Sequence, residues 1–75
     1  MERVEFDYSK LKGRIVEKCN SQKDFANLLG VSPGTLTSKL RGYTGFSQKE
    51  IFRTADILDI ALDRIGQYFF TRKVQ

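Results

Sequence analysis

A chain of 75 residues makes one domain, residues 1–75, with a modest core and little stability in reserve. With 40% apolar and 29% charged residues and no low-complexity tract, it is globular rather than disordered; its net charge of +4 suits a polyanionic partner. One cysteine and no histidine argue against an internal disulfide, a zinc set and imidazole chemistry.

The first helix is expected to start after Ser9 as N-cap, carrying Leu11, Ile15, Val16 and Cys19 on one stripe, with Lys12, Arg14, Glu17 and Lys18 in water. Cys19 reads as a small core residue. Asn20 and Ser21 end that helix. Ser21 followed by Asp24 resembles a capping box and opens a second helix near Gln22, expected to bury Phe25, Ala26, Leu28 and Leu29. Gly30, tolerant of a left-handed backbone, stops it after barely two turns.

Ser32 then offers an N-cap and Pro33 a first helical position, where a missing N–H does no harm. The third helix runs to about Arg41, anchored by Leu36 and Leu40, with Gly42 as its stop. Residues 42–45, GYTG, form a loop. SQKE at Ser47 to Glu50 is a full capping box for a fourth helix, whose apolar face is Ile51, Phe52, Ala55 and Leu58. Leu62, Ile65 and Phe69 fit a short fifth helix, while YFFTRKV also fits a C-terminal strand or extended tail with which Val4, Phe6 and Tyr8 can pair. The fold class is therefore all-α, a small bundle of four to five helices with short extended termini as an option.

Two short helices broken at a glycine make a helix-turn-helix, which holds its second helix proud of the domain so that it can enter a DNA major groove. Ala26 marks the close approach of the two helices and Val31 plugs the turn. The order Gln22, Ala26, Gly30, Val31, Leu36 resembles the helix-turn-helix of the phage Cro and repressor family, the lambda-repressor-like fold. The wider text FDYSKLKGRIVEK, ANLLGVSPGTLTSKL and IGQYFFTRKVQ is similar to small Cro-like repressors of phages and prophages of Gram-positive bacteria. The resemblance implies a sequence-specific transcriptional regulator, usually a homodimer, that represses by occupying double-stranded operator DNA. Where family members commonly carry an apolar residue three positions after Leu36, this chain has Lys39, so the third helix is either slightly rotated or packed by Leu40.

On that reading the groove-facing residues are Ser32, Pro33, Gly34, Thr35, Thr37, Ser38, Lys39 and Arg41. Thr37 and Ser38 can meet several base edges; Arg41, at the C-terminal end of its helix, favours a phosphate over a guanine. Pro33 and Gly34 make the tip small and apolar, suited either to close shape readout or to helix initiation alone. Gln22 and Lys23 at the second helix start, and Tyr43, Thr44 and Lys49 around the following loop, are phosphate-contact candidates. Lys39, Arg41, Lys49 and Arg53 against Glu50 give this stretch a local +3, whereas Asp56, Asp59 and Asp63 form an acidic stretch. Of the aromatic run at the C-terminus, Phe69 reads as core and Tyr68 or Phe70 as a dimer contact.

A second function fits the same fold: a protein-binding modulator, antirepressor-like, that seizes a repressor or polymerase subunit. Neither function needs a cofactor, a metal, a membrane or a small-molecule substrate. Without a clustered nucleophile and base or a phosphate loop, an enzyme is not expected. No apolar run approaches the roughly 20 residues that span a bilayer, and MERVEFDYSK lacks a signal-peptide core, so the expected location is the cytoplasm of a bacterial host.

Overall fold

Each helix boundary has a local chemical cause. The structure, a computed structural model, describes residues 6–72. Among them run α1 (Ser9–Cys19), α2 (Gln22–Leu29), α3 (Pro33–Leu40), α4 (Gln48–Leu58) and α5 (Ile65–Phe69), the last entered through a 3-10 turn at Leu62–Arg64. Ser21 Oγ accepts from the Asp24 N–H at 3.1 Å, and Ser32 Oγ accepts from the Thr35 N–H at 3.1 Å. At α4 the capping box is complete, Ser47 Oγ accepting from the Glu50 N–H at 3.1 Å and Glu50 Oε1 from the Ser47 N–H at 2.8 Å. The N-cap of α1 differs from expectation: it is Tyr8, with Ser9 already helical. The cause is Asp7, whose carboxylate reaches two residues on and accepts the Ser9 N–H at 2.8 Å.

Between α2 and α3, Gly30 takes φ 87°, in the left-handed region, and the N–H groups of Gly30 and Val31 both donate to the Ala26 carbonyl. The chain thereby reverses within three residues and starts α3 against the same core.

That core comprises Leu11, Ile15 and Cys19 from α1, Phe25, Ala26 and Leu29 from α2, Leu36 and Leu40 from α3, Ala55 and Leu58 from α4, and Phe69 from α5, with Ile60 closing the base. Burial pushes the Cys19 thiol pKa up, and Asp24 adds to the effect, so this sulfur is an inert packing group. Among residues expected inside that lie outside, Leu28, Phe52 and Leu62 are 53%, 49% and 66% exposed. In α2 the inward face is filled by Phe25, Ala26 and Leu29; in α4, Ala55 and Leu58 share theirs with Thr54, which leaves Phe52 turned away. Val16 is also exposed, and Arg14, expected in water, is half-buried. The Arg14 guanidinium donates to the carbonyls of Leu58 and Asp59, both at 2.9 Å, closing the C-terminal end of α4. Arg53 does the same for α2 through the Leu28 carbonyl at 3.2 Å.

The two ends of the described chain meet. Phe6 and Arg72 form an antiparallel bridge, and the Asp7 N–H donates to the Thr71 carbonyl at 2.7 Å. Helix continues through Tyr68 and Phe69, so the tail is extended only beyond it; Val4, Lys73 and Val74 of the expected pairing lie outside the described residues. Among the described residues no helix is long and apolar enough to cross a membrane.

Candidate functional site

The outward face of α3 begins with Pro33 and Gly34, which bring no side-chain donor, and continues with hydroxyls bonded within the helix. Ser32 Oγ donates to Thr35 Oγ1 at 2.9 Å, and Thr37 Oγ1 donates to the Pro33 carbonyl at 2.9 Å. Ser38 is half-buried, and Arg41, at the C-cap, is exposed.

Lys39, expected at the margin of this face, is instead buried, 9% exposed. Its ammonium donates to Glu50 Oε1 and to the Gly45 carbonyl, each at 2.9 Å, and stands 5.7 Å from the centroid of the Phe46 ring. The physical reason is the neighbouring loop, which curls back to present a carboxylate and a carbonyl to a side chain long enough to reach them. Burial alone would raise the Glu50 pKa; the hydrogen bond from the Ser47 backbone and the bond and charge of Lys39 outweigh it, holding this carboxyl below its ordinary range. One carboxylate thus caps α4 and clamps α3 to it. The capping role was readable in SQKE; the clamp, formed with a residue eleven positions away, was not.

Around the loop, Gly42 takes φ 83° and the N–H groups of Tyr43 and Thr44 point at the Ser38 carbonyl, leaving the Tyr43 ring 67% exposed. Gln22 and Lys23 are exposed in the first turn of α2, and Lys49 in the first turn of α4. The two dimer-contact candidates separate: Tyr68 is half-buried beneath the Lys10 ammonium, 5.1 Å from its ring centroid, whereas Phe70 is 52% exposed.

Arg41, Tyr43 and Thr44 form one wall of a groove of about 650 Å³; the N-terminal segment and the end of α5 form the other. Its aromatic floor joins Phe6 and Tyr8 to the tail with which they were expected to pair, and adds Phe46 of the loop, which was not expected there. Lys12, taken from the sequence as a solvated residue, stands on its rim. Among the described residues no group of His, Cys, Asp and Glu side chains could hold a metal ion.

Residues 4–72 match the model of a family described as Protein of unknown function (DUF739). The chain belongs to this family. It is also 37% identical to the modulator of repression (MOR) of the temperate bacteriophage TP901-1 from Lactococcus lactis, whose solution structure it matches over 93% of its own length and 95% of that chain, with a TM-score of 0.79. Among curated proteins nothing matches. The bundle described above is thus shared with a phage protein that modulates repression.

Proposed function

We propose that this chain is a phage regulatory protein that modulates repression by binding a repressor protein through its helix-turn-helix side, rather than by reading operator bases itself. One observation carries the reading: the one long cationic side chain in the middle of α3, Lys39, is folded inward onto Glu50. Direct readout needs side chains that reach base edges with free donors or acceptors, as Arg, Lys, Asn and Gln do. The exposed face of α3 offers instead a proline, a glycine and two short threonines, each of whose hydroxyls makes one bond within the turn or helix. Such a surface is small, weakly polar and able to pack closely, which suits a protein partner. The likeness to a modulator of repression supports the same assignment.

A second reading, an operator-binding Cro-like repressor acting as a homodimer, is favoured by the exposed cations Lys23, Arg41 and Lys49. In this reading Gln22, Tyr43 and Thr44 hold phosphates, while Thr37 and Ser38 read bases. Two titrations separate the two. Purified protein is titrated onto its own upstream DNA in a gel shift, and onto a purified phage repressor by calorimetry. The protein-binding reading expects saturable one-to-one complex formation with the repressor and, without the repressor, no sequence-selective shift below micromolar concentration. Tight, salt-dependent and sequence-selective DNA binding by the chain alone sinks it and establishes the operator reading.

A further inference from the structure

We infer that the groove between the two chain ends and the loop at residues 42–46 is a peptide-docking site. Its occupant is a segment of the protein partner that presents an apolar side chain flanked by carboxylates. The inference rests on the protein-binding reading above and names the chemistry of the partner.

Five aromatic rings make the floor and close a circuit. Phe6 meets Tyr8 at 6.5 Å between centroids, Tyr8 meets Phe46 at 5.5 Å, Phe46 meets Phe69 at 5.2 Å, Phe69 meets Phe70 at 6.5 Å, and Phe70 returns to Phe6 at 5.8 Å. Three of these contacts are edge-to-face, the favoured geometry, so the floor is fixed before any ligand arrives. Only Phe69 is fully buried, and half of Phe70 remains open to solvent, which leaves apolar surface for an incoming side chain. The volume, about 650 Å³, falls within the range of pockets that bury much of a small ligand.

The rim sets the charge of the occupant. Lys12 on α1 and Arg41 at the end of α3 are both exposed there, and the carboxylate of Asp7 accepts the Ser9 N–H. Two outward cations against the single carboxylate of Asp7 leave the rim net positive over an aromatic floor, which complements an acidic peptide with an apolar side chain. Duplex DNA offers the cations its phosphates but has no side chain for the floor. With three of their five contacts edge to face and the other two tilted, the rings do not form a row of parallel stacking platforms for single-stranded bases.

The test uses the full chain and a fluorescein-labelled, end-blocked hexapeptide with leucine and phenylalanine at its centre and two glutamates on either side, followed by anisotropy. Saturable binding is expected that weakens with salt, falls roughly tenfold in the double variant Lys12→Glu/Arg41→Glu, and falls by a similar factor in Phe70→Ser. Circular dichroism verifies that each variant is folded. A control peptide with lysines in place of glutamates should not bind. Equal binding of both peptides, no binding of either, or preferential binding of an eight-nucleotide oligothymidylate overturns the assignment. So does concentration-dependent self-association that blocks the peptide, which would make a second copy the occupant. The same variants are then titrated with the repressor used in the calorimetry above. If it binds wild type and variants alike, the groove assignment fails while the protein-binding reading stands; if it binds none of them although the peptide docks normally, the reverse holds.

Discussion

Replacing Lys39 by methionine tests the central geometric claim, that this ammonium faces inward. Methionine keeps most of the aliphatic stem and its packing but removes the charge, so Glu50 loses its ion pair and the Gly45 carbonyl loses its donor. A fully buried pair broken on one side costs about 3–5 kcal/mol, and an exposed one about 0.2–1 kcal/mol. Here the side chains are 11% and 23% accessible, and Glu50 retains the Ser47 N–H at 2.8 Å, which places the loss between those limits. We expect about 2 kcal/mol, or roughly 8–16 °C in Tm for a domain of this size. Thermal melts followed by circular dichroism at neutral pH measure it directly. The double variant Lys39→Met/Glu50→Gln should recover part of the loss, since neither charge then stands alone. An unchanged Tm together with weakened partner binding would refute the reasoning, because it would put the ammonium in solvent on the outer face of α3.

The Glu50 pKa is depressed in the fold, so its contribution to stability is full above its ordinary value of 4.5 and is lost as pH falls through the lower folded value; urea midpoints between pH 6 and pH 2 should show this acid limb, and Glu50→Gln should lack it. Thr54 is fully buried with no hydrogen-bond partner for its hydroxyl, so Thr54→Val should raise stability by about 1 kcal/mol in chemical denaturation, and a loss instead would mean that the hydroxyl has a partner. Gly13 and Gly30 both have open space where a Cβ would sit, yet they should respond oppositely to alanine. Gly13→Ala, inside α1, should gain about 0.5–1 kcal/mol, while Gly30→Ala, forced to hold φ 87°, should lose about 1–2 kcal/mol, both read as shifts in urea midpoint.

What could be read from the sequence was what a few neighbouring residues decide. Ser21 with Asp24, Ser32 with Thr35, and Ser47 with Glu50 each start a helix by bonds that span three residues, and Gly30 stops one by its own backbone. Periodicity placed Phe25, Ala26, Leu36 and Leu58 inside for the same reason. It failed at Val16, Leu28, Phe52 and Leu62, where an apolar residue neighbours the inward stripe and only the packing of other helices decides which residue is covered. Lys39 was recognised as a departure, but its partner lies on another helix. Alternation let Phe6 and Tyr8 pair with the tail that holds Phe70, but nothing local announced that Phe46 of the loop would join them against Phe69.

The guanidinium contacts at the helix ends bear on folding. Neither α2 nor α4 carries a basic residue in its last turn, so neither offsets the partial negative charge of its own C-terminus. Arg53 of α4 serves α2, and Arg14 of α1 serves α4. Each helix is completed by a cation that arrives only when another helix has docked. Formation of one favours formation of the next, and the helix-turn-helix segment cut out as a peptide would lose the cation that closes α2.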